Sequence, residues 1–148
     1  NQMNILLDRT VGNFEDALQL IIKTSEKDFT GIAINAAASP FASRNLKDIR
    51  LASDNLNRCL ALPEQYKKHC SSGFAAGLIE TGKPGEEYVF AIDVCVTGKE
   101  LAQSCLLTTY EHTKKRLDKE TQSKACKYAL SVAGKQEEEI CNKIMSSK

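Results

Sequence analysis

Six cysteines, two histidines and one cluster of basic residues are the side chains in this sequence with the most chemical reach. Cys59 and Cys70 flank Pro63 in the stretch NRCLALPEQYKKHC, which ends in an adjacent His69–Cys70 pair. Thiolate and imidazole together could hold a metal or run thiol chemistry, so spacing has to decide. A zinc site wants four ligands at short intervals. The cysteines Cys59, Cys70, Cys95, Cys105, Cys126 and Cys141 are instead separated by 10, 24, 9, 20 and 14 residues. His69 does not repair this, because neighbouring residues on a helix diverge by about 100°. His112, in TTYEHTKKR, has no nucleophile or acid partner in the sequence and reads as a solvated helix residue. No GxSxG, HExxH, GxGxxG or phosphate-loop motif occurs. The reading is a non-enzymatic chain with no catalytic residue, no metal ligand and no cofactor.

An even count of cysteines with none left over is the mark of an oxidised, extracellular protein. The first five residues have neither a basic start nor an apolar core, so the chain reads as a mature secreted form. Charge adds little: 20 basic against 19 acidic residues leave a formal +1, which is no field for nucleic acid or for an anionic membrane. No apolar run approaches the roughly 20 residues that span a bilayer, so membrane insertion is not expected. The local exception is Lys114, Lys115, Arg116, Lys119, Lys124 and Lys127, which could engage a sulfated glycan or an acidic protein surface. Asp118 and Glu120 interrupt it, and a solvated helix face is the competing reading.

The elements that must position these groups are helical. Leu7, Val11, Phe14, Leu18 and Ile21 recur every three or four residues and predict a long amphipathic helix over residues 4–26. FTGIAINAAASPF, broken by Gly31 and closed by Pro40, predicts a short helix under a bend. Ser43 can cap a second stripe made by Leu46, Ile49, Ala52, Leu56 and Cys59. Pro63 opens a helix carrying Tyr66, Cys70, Phe74 and Leu78, with Gly73 and Gly77 on one face where a neighbour can approach. EEYVFAIDVCV suits either helix or strand, and helix is preferred because a lone two-stranded ribbon is marginal. Further helices are predicted from Gly98 to about Lys119 and over residues 122–145, the latter broken at Gly134.

The expected fold is therefore all-α: one domain over residues 1–148, a single disulfide-stapled bundle of about five to seven helices arranged as successive helical hairpins. Cys70, Cys105 and Cys141 each lie seven residues past a breaker, at Pro63, Gly98 and Gly134. Bridged positions should be nearly equidistant from a turn, since a disulfide needs Cα atoms within about 7 Å. Cys126 and Cys141, eight before and seven after Gly134, meet this best. If Gly134 did not break the helix they would stand about 22 Å apart. Cys59–Cys70 and Cys95–Cys105 need uneven turns, and nested pairings such as Cys59–Cys105 with Cys70–Cys95 stay open.

Two function classes survive: a secreted binding protein that acts through its surface, and a carrier of a small apolar ligand. For the second, Phe14, Phe29, Phe41, Phe74, Tyr66, Tyr88 and Phe90 could line a cavity, although a helical core needs the same residues. The six-cysteine odorant-binding proteins of insects are the natural comparison, and their cysteine spacing differs from this one. The segments CLALPEQYKKHC and CVTGKELAQSC, followed by a lysine-rich, cysteine-bearing helical end, resemble small secreted helical proteins of flies and mosquitoes. Among these are mosquito salivary proteins of the neutrophil-stimulating-factor type and the TsetseEP-like proteins. That resemblance implies an insect salivary protein, monomeric and non-enzymatic, that modulates host immunity or haemostasis through a host or other extracellular protein partner. It carries over no site residue.

Overall fold

A computed structural model describes residues 14–43 and 48–148. The expected contributions of Leu7, Val11 and Leu46 lie outside these residues. Among the described residues there are eight α-helices and no strand. They are α1 (Phe14–Thr24), α2 (Thr30–Ser43), α3 (Ile49–Arg58), α4 (Glu64–Glu80), α5 (Glu87–Cys95), α6 (Ala102–Arg116), α7 (Lys119–Ala133) and α8 (Lys135–Ser146). Eight exceeds the five to seven expected because Gly134, at φ +95°, makes α7 and α8 separate helices rather than one interrupted stretch. Three disulfides, rather than a single staple, close the bundle.

Each bridge spans one turn. Cys59 pairs with Cys70 between α3 and α4, Cys95 with Cys105 between α5 and α6, and Cys126 with Cys141 between α7 and α8. Their Cα separations are 5.7, 5.3 and 5.4 Å. The uneven turns that the first two pairs require are supplied by 3-10 segments at Cys59–Ala61 and Lys99–Leu101. These tighter segments rise about 2 Å per residue, which carries each chain across to its neighbour in few residues.

The core begins with a stripe on α1, where Phe14, Ala17, Leu18 and Ile21 are all buried at helical spacing. Phe14 packs between Phe41 and Phe74, with ring centroids 5.1 and 5.9 Å away. Beneath it, α2 and α4 run parallel and in step. A Cβ added at Gly73 would stand 2.1 Å from the Asn35 carbonyl oxygen, and one at Gly77 would stand 2.2 Å from that of Ser39. One turn earlier, the same seam sets Gly31 against the His69 ring. Backbones this close bring many atoms within dispersion range, and only glycine permits it.

Several boundaries differ from the sequence reading for local reasons. Gly31 and Pro40 lie inside α2 instead of breaking and closing it. Proline at position 40 removes a bond to the Ala36 carbonyl, but Ala36 is exposed, so water can serve that acceptor. Ser43 does not cap α3; its hydroxyl donates back to Ser39 O. Asp48 is the cap, its Oδ1 accepting from Leu51 N at 3.1 Å. Asp118 likewise accepts from Thr121 N at 2.8 Å, so α6 ends at Arg116 and α7 starts at Lys119, earlier than expected. Those bonds to Thr121 hold the Asp118 carboxyl below its ordinary range. The ambiguous segment 87–96 is helical through Cys95.

Polar pairs tie the hairpins to one another. The Ser71 and Ser104 hydroxyls meet at 2.5 Å and Thr108 donates to Ser72 at 3.0 Å, joining α4 to α6. Tyr128 on α7 donates to Asp93 on α5 at 2.6 Å. Its phenol is pushed up to about 12, first by burial and then by that carboxylate. Tyr110, fully buried on α6, reaches Glu137 on α8 at 3.0 Å, and burial raises its phenol well above the usual value.

Candidate functional site

The groups singled out by type do not converge. All six cysteines are consumed in disulfides and are at most 2% exposed, so none presents a thiol to solvent. Among the described residues no group of three or more His, Cys, Asp and Glu side chains is arranged to hold a metal ion.

His112 departs from its reading as a solvated residue. It is half-buried on α6, beside the Arg116–Glu80 ion pair (3.0 Å), and its Nδ1 is buried without a hydrogen-bond partner. Burial, reinforced by Arg116, lowers its affinity for a proton.

The basic cluster is partly engaged within the fold. Arg116 pairs with Glu80 across to α4, and Lys124 pairs with Glu120 along α7 at 3.3 Å. Lys114 donates to the carbonyl and hydroxyl of Ser147, satisfying the chain just past α8. Lys115, Lys119 and Lys127 stay exposed. Arg116, Lys124 and Lys114 thus each have a partner within the fold.

The feature that composition and spacing missed lies at the start of α2. Phe29 is 58% exposed and Ile32 65% exposed, although both are large apolar side chains. Ile32 lines a groove of about 500 Å³ together with Lys27, Asp28, Gly31, Gln65, Tyr66 and His69, while Phe29 is outside that lining. The 3-10 turn Lys27–Phe29 sits outside the periodic stripes and lifts Phe29 away from the core it was expected to join. The groove's floor is rigid, because Gly31 brings α2 against His69 and the Cys59–Cys70 bridge anchors the first turns of α4. A usable signal was present: Phe29 and Ile32 fall off the face defined by Thr30, Ile34, Ala37 and Phe41.

A second groove, of about 480 Å³, lies against the α4–α5 turn and is lined by Thr81, Gly82, Lys83, Pro84, Glu86, Val89 and Phe90. Of the aromatic residues considered as cavity walls, only Phe90 borders this groove and only Tyr66 borders the first. Phe14, Phe41 and Phe74 pack on each other instead. No protein-family model matches the chain, and neither the curated proteins nor the solved structures contain a match to it.

Proposed function

We propose that this chain is a secreted, monomeric, non-enzymatic binding protein of the insect salivary type, which modulates host immunity or haemostasis by engaging a protein partner. The observation that carries the reading is the exposed apolar pair Phe29 and Ile32, the second of which lines a disulfide-braced groove. Large apolar side chains clustered at a rigid rim are what an interface core uses. The opposite charges of Lys27 and Asp28 beside them suit the polar rim of a protein contact. Secretion is supported by three buried disulfides. Among the described residues no helix is long and apolar enough to cross a membrane.

The test is a double substitution, Phe29→Ser with Ile32→Ser, scored by saturable binding of labelled protein to host leukocytes and platelets. Losing two anchors should weaken binding at least about tenfold. Thermal stability should stay within about 0.5 kcal/mol, because neither side chain is in the core. Unchanged binding by a folded double variant would sink the proposal.

One observation keeps a second reading in view. The groove at Pro84, Val89 and Phe90 is apolar enough to seat a small hydrophobic ligand, as a carrier would.

A further inference from the structure

The seam between α4 and α6 is a ladder of polar pairs. On α6, Ser104, Thr108, His112 and Arg116 recur every four residues and so share one face. Three of them find a partner on α4: Ser104 meets Ser71 at 2.5 Å, Thr108 donates to Ser72 at 3.0 Å, and Arg116 pairs with Glu80 at 3.0 Å. His112 fills the remaining rung, next to the ion pair, yet its Nδ1 is buried and has no hydrogen-bond partner. It is the one member of the row whose charge changes near neutral pH.

The two forms of the ring do not suit this rung equally. A neutral imidazole can carry its proton on Nε2 and leave a bare lone pair at Nδ1, whereas the doubly protonated ring must place an N–H there. That N–H would be a buried donor with no acceptor, the costly case for a polar group inside a protein. The charged groups bearing on the ring are Glu80 from α4 and Glu111, Lys115 and Arg116 from α6 itself. Two cations oppose two anions, and burial, the largest influence, tips the ring toward its neutral form. We infer that His112 is an acid-sensitive latch: neutral, it lets the last turns of α4 and α6 close on each other, and doubly protonated, it forces them apart at the Arg116–Glu80 end. The hydroxyl pairs at Ser71 and Ser72 contain no titratable group and hold the other end of the seam. The latch does not depend on the protein-binding reading.

A ring that resists protonation in the fold leaves stability whole above its ordinary pKa of 6.5 and loses it as the pH falls below that value. The loss is complete once the folded ring is protonated as well. Urea unfolding of the full chain, wild type and His112→Gln, at about pH 7.5 and about pH 5 tests this. On acidification the wild-type unfolding constant should rise at least about fivefold more than that of the variant, about thirtyfold being the ceiling for one histidine over this range. A second measurement needs no substitution. The ring nitrogen shifts of the wild type should show the Nε2–H tautomer at neutral pH and protonation only below the ordinary value. Amides in the last turn of α6 should lose protection in acid while those beside Ser104 keep theirs. Equal pH dependence in a folded H112Q would overturn the inference, as would a ring that carries its proton on Nδ1 or takes up its second proton at or above the ordinary value. Should H112Q fail to fold, the ring shifts decide alone.

Discussion

Replacing Gly73 or Gly77 with alanine should destabilise the protein by about 3 kcal/mol each, near the upper end of the usual cost of overpacking. The new Cβ atoms would meet backbone carbonyl oxygens of Asn35 and Ser39 at 2.1 and 2.2 Å, where ordinary contact begins at 3.4 Å. Backbone cannot swing aside as a side chain can, so α2 and α4 must separate along their whole parallel seam. Alanine's better helix propensity returns only about 1 kcal/mol. For a chain of this size the net loss corresponds to a fall of roughly 6–12 °C in melting temperature. The double variant should lose little more than either single one, because one displacement relieves both clashes. Gln65→Ala, exposed on the same helix, should stay within about 0.5 kcal/mol. Losses below about 1 kcal/mol at both glycines would show that the close approach is not what holds α2 on α4.

Reduction should have the larger effect once it can occur. Closing loops with sequence separations of 11, 10 and 15 removes chain entropy worth roughly 2.7–3 kcal/mol per bridge. Together that is comparable to the whole stability of an ordinary domain, about 5–15 kcal/mol. The bridges are buried, so millimolar reductant in native buffer should release no thiol, since attack requires access to the sulfur. Protein unfolded in urea, reduced and returned to buffer with reductant should fail to recover its helical circular dichroism. Among single pairs, removing Cys126 and Cys141 should be felt most by α8, in which Cys141 is the one fully buried residue. With the bond gone, the Tyr110–Glu137 hydrogen bond, the Lys114–Ser147 contact and the half-buried Ile140, Ile144 and Met145 are left to hold that helix, and its amides should exchange far faster than those of α4. Full refolding under reducing conditions would contradict this account of the scaffold.

How much of this was legible beforehand follows from the range of each signal. Gly134 declared itself because two cysteines at matched distances demanded a turn there, and the paired glycines of α4 declared a close neighbour without saying which helix it was. The helix stripes on Phe14, Leu18 and Ile21, and on Phe74 and Leu78, were readable because burial has a period. Pro40 misled because its helical neighbours, not its own preference, decided whether its missing hydrogen bond mattered. Asp48 and Asp118 were overlooked as caps although each stands three residues before the amide it accepts from. The candidate surfaces were the least legible. The groove at Ile32 needs α4 to lie beside α2, and the pocket at Lys119 and Met145 needs the end of α8 to return to the start of α7. Both are meetings of distant segments that no spacing within one segment encodes.

The central functional claim is that the molecule acts by its outer surface while its aromatic core is packed on itself. A fluorescent fatty acid titrated into the oxidised protein tests that most directly. The account predicts no saturable binding, and no emission change reversed by excess unlabelled fatty acid. Saturable one-to-one binding, displaced by unlabelled fatty acid and lost in Phe90→Ser, would contradict it and identify a carrier.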